Sequence, residues 1–134
     1  MTPSGEGSGA LRRLEDAAVQ ELQRHWEDGW NSGDIETIMA PFSADVAFSS
    51  PGISRMTGDA TKTTIEGSDA LRVYIEGSLR QTAAIRYRLH ATYVGTDSVV
   101  LVYACGLPDG PQMEGADLMR VGPDGSVVEW RCHY

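Results

Sequence analysis

Residues 113–134 read MEGADLMRVGPDGSVVEWRCHY. Apolar and polar side chains alternate on both sides of the segment GPDGS at 122–126. Alternation with a period of two is typical of a strand with one buried face, and a Gly/Pro/Asp cluster between two such runs is typical of a turn. Residues 113–121 and 127–134 are therefore predicted to form a β-hairpin.

One acid falls on the apolar face of this hairpin. Glu114 and Arg120 lie on the same face of the first strand, so that face is expected to point to solvent and the other face inward. The inward residues are then Met113, Gly115, Asp117, Met119 and Val121 in the first strand, and Val128, Trp130, Cys132 and Tyr134 in the second.

Asp117 is accordingly expected to face Trp130 or Cys132 across the hairpin. Burial disfavours the charged form of a carboxyl, so the pKa of Asp117 should rise and the group should be able to donate a hydrogen bond. Two structural alternatives stay open. Asp117 could pair with a buried hydroxyl or backbone amide, or a β-bulge could move it to the outer face.

Two further strands are predicted before the hairpin. Residues 84–94 alternate, with Ile85, Tyr87, Leu89, Ala91 and Tyr93 on one face and Arg86, Arg88, His90 and Thr92 on the other. Residues 98–107 are almost continuously apolar, which is expected of a central strand that is covered on both sides, by a partner subunit on one of them.

The N-terminal half carries helical patterns. An apolar stripe at spacings of three and four runs through Leu11, Leu14, Ala18, Leu22, Trp26 and Trp30, which predicts one long helix. Gly33 can end it in a left-handed conformation, and Asp34 can cap a short second helix at 35–40.

A strand at 45–50 comes next, with Val46, Phe48 and Ser50 on one face, and it ends at Pro51. Residues 53–62 are predicted to form a loop and residues 63–66 a short strand. A third helix follows with Ser68 as its N-cap; Leu71, Tyr74, Ile75 and Leu79 form its buried face.

Helices followed by a meander of strands indicate an α+β domain with the helices on one face of a curved antiparallel sheet. The chain has 134 residues, which fits a single domain at 10–134 after a flexible tail at 1–9. With 11 Lys and Arg against 19 Asp and Glu, the net charge of −8 argues against nucleic acid and anionic membranes as partners.

The sequence contains no apolar run long enough to span a bilayer and no N-terminal signal pattern, so a cytoplasmic location is expected. Cys105 and Cys132 are expected to be reduced thiols. The three His do not cluster at ligand spacing, and phosphate-loop and nucleophile motifs are missing, so neither a metal nor a cofactor is expected.

Four segments carry a family resemblance: WNSGDIE at 30–36, FSADVAF at 42–48, GSDAL at 67–71, and DLMR at 117–120 followed by Asp124 and Gly125. In this order they resemble the nuclear-transport-factor-two-like superfamily, in particular its ketosteroid isomerase and SnoaL-like polyketide cyclase branch. The resemblance implies a cone-shaped curved antiparallel sheet wrapped around three N-terminal-half helices, with an apolar pocket at one end and a homodimer as the usual assembly.

The resemblance also implies roles for individual residues. Asp117 stands where the isomerases keep a protonated oxyanion-hole acid, whereas Ser50 replaces their general base and Trp26 their oxyanion-hole tyrosine. Because serine is a poor unaided base, steroid isomerisation by the family route is not expected. The predicted pocket residues are Trp26, Trp30, Phe42, Phe48, Ser50, Tyr87, Met119, Trp130, Cys132 and Tyr134, with Asp117 as the catalytic residue.

The expected function is a cofactor-independent isomerase, cyclase or dehydratase that moves a proton next to a carbonyl of a hydrophobic polyketide- or steroid-like metabolite. The alternatives are a non-catalytic ligand-binding module of the same fold, or an assembly subunit like the small chains of ring-hydroxylating oxygenases. Asp59 or Glu66 could supply a missing base from the loop region, whereas His90 is expected to face outward.

Overall fold

A computed structural model describes residues 13–134. The predicted tail at 1–9 and the first residue of the apolar stripe, Leu11, lie outside the described residues.

The first helix is shorter than its predicted span and changes type along its length. Helix α1 covers Asp16–Arg24 and continues as a π-helical segment at His25–Trp30. Gly33 follows with a φ of 72°, and helix α2 occupies Ile35–Met39. Asp34 caps α2, because its Oδ1 accepts the Glu36 amide at 3.1 Å, as predicted.

A further helix occupies part of the predicted loop at 53–62, and that prediction is wrong. Strand β1 (Phe42–Ser49) leads directly into helix α3 (Pro51–Thr57). Ser50 caps α3 by accepting the Gly52 amide at 3.1 Å, and Pro51 occupies the first helical position. Seven residues are too few to display a helical period. The only sequence signals for this helix are the capping residue Ser50 and the proline that follows it.

Strand β2 (Thr64–Glu66) and helix α4 (Ser68–Gln81) complete the N-terminal half. Leu71 and Ile75 are buried on the predicted face of α4. The predicted N-cap at Ser68 is wrong, because Gly67 holds the cap position with a φ of 91° and Ser68 is already helical.

Four strands follow: β3 (Arg86–Val94), β4 (Ser98–Gly106), β5 (Gln112–Val121) and β6 (Val127–His133). The sheet has the order β2-β1-β6-β5-β4-β3 and curves around the helices, so the α+β fold is confirmed. It is mixed rather than fully antiparallel, because β1 pairs with β6 in parallel. No hairpin joins these two strands, so the meander pattern did not constrain their relative direction.

Two irregularities in register shift side chains from their predicted faces. One lies between Leu89 and Ala91, and beyond it Tyr93 is 64% exposed instead of inward. The other lies between Arg120 and Val121, and it places Val127 in the core where Val128 was predicted. An extra residue in a strand reverses the alternation after it, and period-two counting cannot detect that.

The core fills the space between the helices and the inner face of the sheet. It includes Ile38, Val46, Phe48, Ile53, Leu71, Ile75, Val99, Leu101, Met119, Val127 and Trp130. Within residues 13–134, no helix is both long and apolar enough to cross a membrane.

The cap of α2 offers a direct test of the helical corner. Asp34→Ala removes the acceptor of the Glu36 amide and of the Thr37 hydroxyl, which lies 2.9 Å from Asp34 Oδ2. We expect a loss of about 1 kcal/mol in the free energy of unfolding, measured by urea denaturation. The exposed Asp97→Ala serves as the control and should change stability by less than about 0.5 kcal/mol. An equal effect of the two substitutions would contradict the capping role.

Candidate functional site

A cavity of about 430 Å³ opens at one end of the domain, between the inner face of the sheet and helices α3 and α4. Aromatic and aliphatic side chains dominate its wall. The lining residues are Trp26, Trp30, Phe48, Ser50, Arg55, Tyr74, Ser78, Thr82, Ile85, Tyr87, Tyr103, Cys105, Gly106, Leu107, Pro111, Met113, Trp130, Cys132 and Tyr134.

The deep wall of this pocket is built from rings that pack on one another. Trp26 stacks on Tyr103 with ring centroids 4.5 Å apart and on Trp30 at 5.5 Å. Trp130 packs against Phe48 at 4.4 Å and stacks on Phe42 at 5.1 Å. Because rings held on several sides cannot easily rotate, the wall has a fixed shape suited to a flat apolar ligand.

Asp117 lies directly behind this wall, with none of its surface exposed. Its Oδ1 accepts a hydrogen bond from the Tyr103 hydroxyl at 3.1 Å, and its Oδ2 accepts one from Trp130 Nε1 at 2.8 Å. Cys132 is its cross-strand partner in β6. Both hydrogen-bond donors line the pocket, so a single side chain separates the carboxyl of Asp117 from the cavity.

Burial raises the pKa of Asp117 to about 7, although the hydrogen bonds from Trp130 and Tyr103 act in the opposite direction. Burial, with the nearby Asp117 as the next cause, also raises the pKa of the Tyr103 hydroxyl and of the Cys132 thiol. Near neutral pH the carboxyl of Asp117 is therefore the group in this cluster that exchanges a proton.

His25 is buried behind the same wall but has the opposite electrostatics. Its Nδ1 lies 2.8 Å from the Ile38 carbonyl, so Nδ1 carries the hydrogen, and its Nε2 accepts from Trp30 Nε1 at 3.1 Å. This bond joins residues five apart, which matches the π-helical segment. Burial lowers the pKa of His25 to about 4, so the ring is neutral and holds the helical corner together.

A cluster of hydroxyls lies towards the open end of the pocket. Ser50 Oγ and Tyr134 Oη share a hydrogen bond of 2.8 Å, and the Tyr74 hydroxyl converges with them on Gly52. Gly52 leaves room for both rings, because a Cβ there would lie 2.6 Å from Tyr74 Oη and 3.0 Å from Tyr134 Oη. Ser50, Tyr74 and Tyr134 are called the hydroxyl cluster below.

The sequence profile of the SnoaL-like domain matches residues 22–130, which is most of the chain. The chain belongs to the SnoaL-like domain family. This membership confirms the resemblance carried by the four sequence segments, and solved neighbours place the domain in the nuclear-transport-factor-two-like fold. The comparison with curated proteins found no match.

Solved structures similar to this SnoaL-like domain include a SnoaL-like protein of unknown function from Burkholderia thailandensis, with a TM-score of 0.75 and 27% identity over 90% of this chain and 98% of that one. A steroid delta-isomerase from Pseudomonas aeruginosa has a TM-score of 0.64 and 19% identity, over 90% and 80% of the two chains. A Mycobacterium tuberculosis protein in complex with estradiol-17β-hemisuccinate has a TM-score of 0.66 and 17% identity, over 90% and 95%. The last two show a shared fold alone.

The structure brings most of the predicted pocket residues of this SnoaL-like domain together. Trp26, Trp30, Phe48, Ser50, Tyr87, Trp130, Cys132 and Tyr134 all line the cavity. Phe42, Met119 and Asp117 lie beside it without lining it. Phe42 packs on Trp130, and Met119 is the cross-strand partner of Trp130.

Three residues important to the site were missed from the sequence. Tyr103 lies in the continuous apolar run at 98–107, where no residue stands out from its neighbours. The available signal is its cross-strand partner Gly115, because a Cβ at that position would lie 2.6 Å from the Tyr103 hydroxyl. Arg55 went unnoticed because its helix was predicted to be a loop. Tyr74 was assigned to the core of α4 and also reaches the cavity.

The alternative acid–base residues lie away from the pocket. Asp59 accepts hydrogen bonds from Thr61, while Glu66 and His90 are exposed. Cys105 and Cys132 are free thiols, as predicted. In the described part of the chain, His, Cys, Asp and Glu form no group of three that could hold a metal ion.

Asp117 and His25 should shift the stability of this SnoaL-like domain with pH in opposite directions. The pKa of Asp117 rises from 3.8 to about 7, so its stabilising contribution is complete below pH 3.8 and is lost as the pH rises to about 7. The pKa of His25 falls from 6.5 to about 4, so its contribution is complete above pH 6.5 and is lost as the pH falls to about 4. Between these limits the two effects largely cancel.

We expect Asp117→Asn to unmask the His25 effect. The free energy of unfolding of the variant minus that of the wild type should increase with pH between about 4 and 7, by at most about 1.4 kcal/mol per pH unit. His25→Gln should give a difference of the opposite slope. Urea denaturation at half-unit pH steps measures both, and parallel curves for variant and wild type would show that neither group titrates as described.

Proposed function

We propose that this protein is a cofactor-independent enzyme of the isomerase, cyclase or dehydratase type. Its substrate is a hydrophobic small molecule of polyketide or steroid size, and the reaction moves a proton at a carbon next to a carbonyl. The observation that carries this proposal is Asp117, a carboxyl whose pKa is about 7 and whose hydrogen-bond partners line an apolar cavity.

The form of the cavity supports a flat apolar substrate. Its volume of about 430 Å³ falls in the range of small-molecule sites, and three tryptophans, the only ones in the sequence, line it. The steroid derivative bound to the Mycobacterium tuberculosis neighbour is consistent with such a ligand.

Trp26 supports a carbonyl on that substrate. Its indole Nε1 is buried and, among the described residues, has no hydrogen-bond partner. A buried donor without an acceptor costs free energy, and a carbonyl oxygen of the ligand would relieve that cost. Trp26 thereby offers a neutral donor at the position where the resemblance places the isomerase tyrosine.

The proton can reach the pocket through Tyr103. The Trp130 indole N–H can only donate, so Oδ2 of Asp117 is the oxygen that stays an acceptor, and a proton taken up by the carboxyl belongs on Oδ1. Tyr103 then accepts from Oδ1 instead of donating to it. Its own hydroxyl hydrogen is then available to the substrate. In the reverse direction the Tyr103 oxygen takes the proton that leaves the substrate carbon while its own hydrogen passes to Oδ1, so each transfer changes the protonation of Asp117 alone.

Ser50 does not provide a second base. Its Oγ already accepts the Gly52 amide at 3.1 Å and pairs with Tyr134 at 2.8 Å. None of the lining residues is a carboxylate. The chemistry proposed here therefore uses one acid–base group, unlike the two-group isomerase route.

Asp117→Asn tests the proposal, because it keeps the shape of the side chain and removes its proton exchange. The measurement is deuterium incorporation from D₂O at the carbon next to the carbonyl, followed by mass spectrometry over a panel of two- to four-ring ketones and 1,3-diketones. We expect the wild type to exchange at least one member and the variant to exchange it at least about 100-fold more slowly.

The matched control is Asp97→Asn, which makes the same substitution at an exposed site outside the pocket. Its exchange rate should equal that of the wild type. Unchanged exchange in Asp117→Asn, with a folded protein, would refute the role of Asp117.

A ligand-binding module is the second candidate, and one observation favours it. Both oxygens of Asp117 already accept hydrogen bonds, and the carboxyl does not itself line the cavity. Saturable binding of a panel member by the wild type, with neither exchange nor product, would establish this function instead. A homodimer stays a prediction from the resemblance. A stable homodimer with no required partner would count against an assembly subunit.

A further inference from the structure

A second, more polar space lies beside the pocket, between helices α3 and α4, and is here called the vestibule. It has a volume of about 520 Å³ and shares part of its wall with the pocket. The vestibule is lined by Gly52, Arg55, Met56, Tyr74, Ser78, Gln81, Thr82 and Tyr134. The hydroxyl cluster thus lies where the apolar pocket ends and the vestibule begins.

Arg55 is the one charged side chain among the lining residues of both spaces. The whole chain has a net charge of −8, so a cation at this entrance is not explained by a generally basic surface. Within residues 13–134, no carboxylate lies within ion-pair distance of its guanidinium.

Arg55 is exposed, and it is positioned by one contact of its side chain and by the packing of its helix. Its guanidinium carbon lies 5.8 Å from the centre of the Tyr134 ring, which is a cation–π contact. Helix α3 itself is held close to α4, because Gly77 leaves room for the Met56 methyl at 3.0 Å from where a Cβ would be. Ile53 is fully buried and anchors the other side of α3.

Neutral donors line the vestibule together with Arg55. The Ser78 hydroxyl donates to the sulfur of Met56 at 3.4 Å, and sulfur is a weak acceptor. The side chain of Gln81 also lines the vestibule. A fork of guanidinium donors with nearby hydroxyl and amide donors is suited to a planar carboxylate.

We propose that the natural ligand is an amphipathic carboxylate, whose apolar ring system occupies the pocket and whose anionic group lies in the vestibule on Arg55. This inference rests on one part of the proposed function, namely that the pocket binds a hydrophobic small molecule. It assigns Arg55 as a specificity residue, which selects acids over their neutral counterparts without taking part in proton transfer.

The test compares 4-(1-pyrenyl)butyrate with its methyl ester. Both probes have the same ring system and chain, and only the acid is charged. Quenching of tryptophan fluorescence reports binding, because the three tryptophans of the chain all line the pocket. We expect the wild type to bind the acid about tenfold more tightly than the ester at low salt, with the difference shrinking as salt is added.

Arg55→Gln should weaken binding of the acid about tenfold and change binding of the ester less than about twofold. Arg55→Lys should retain part of the preference, because it keeps the charge and loses the fork. Arg88→Gln is the matched control: it removes the same charge from an exposed residue of β3 that lines neither space, and both affinities should stay unchanged.

Equal binding of acid and ester by the wild type would overturn the inference and leave the proposed function standing. An equal loss of both probes in Arg55→Gln, or the same loss of the acid in Arg88→Gln, would also overturn it, since packing or overall charge would then explain the effect. Binding of neither probe by the wild type would refute the proposed hydrophobic pocket itself.

Discussion

The carboxyl of Asp117 has no exposed surface, and its burial constrains the strands around it. A buried carboxylate without donors is strongly destabilising, so both oxygens need partners. Tyr103 reaches it from β4 and Trp130 from β6, which links the registers of three adjacent strands to one side chain. Gly115 belongs to the same arrangement, because any larger residue would push against the Tyr103 hydroxyl. The burial of Asp117 therefore determines both the register of these strands and the raised pKa of the site.

His25 is also a buried titratable group whose two polar atoms have hydrogen-bond partners, but burial lowers its pKa instead of raising it. It is surrounded by Trp26, Trp30, Phe42 and Trp130, and it stays neutral because burial disfavours its charged form. One hydrogen bond of His25 joins the π-helical segment to Ile38 in α2, and the other holds the indole ring of Trp30, which lines the pocket. Two titratable groups thus support one aromatic wall, one as a neutral base and the other as an acid near its midpoint.

Much of this arrangement could be predicted from residue patterns, and the failures have physical causes. Alternation placed Asp117 inward, facing Trp130 or Cys132, because one buried face makes the period of two strict. The same counting misplaced Tyr93 and Val128, because an irregularity in register adds a residue that carries no sequence mark. Helix α3 and with it Arg55 escaped detection, because a helix of seven residues gives no period. The partners of Asp117 depend on neighbours distant in sequence, such as Tyr103, which only the folded sheet brings together.

Strand β6 is the last strand in sequence, yet it lies inside the sheet, between β1 and β5. Strand β1 pairs with the short β2 on one side and with β6 on the other. The backbone hydrogen bonds on its second side therefore need residues 127–133. The edge of β1 that faces β6 therefore stays unpaired in any folding intermediate in which residues 127–133 are not yet in place. Pairing of segments so distant in sequence carries a high cost in loop-closure entropy, so this contact is expected to form late in folding.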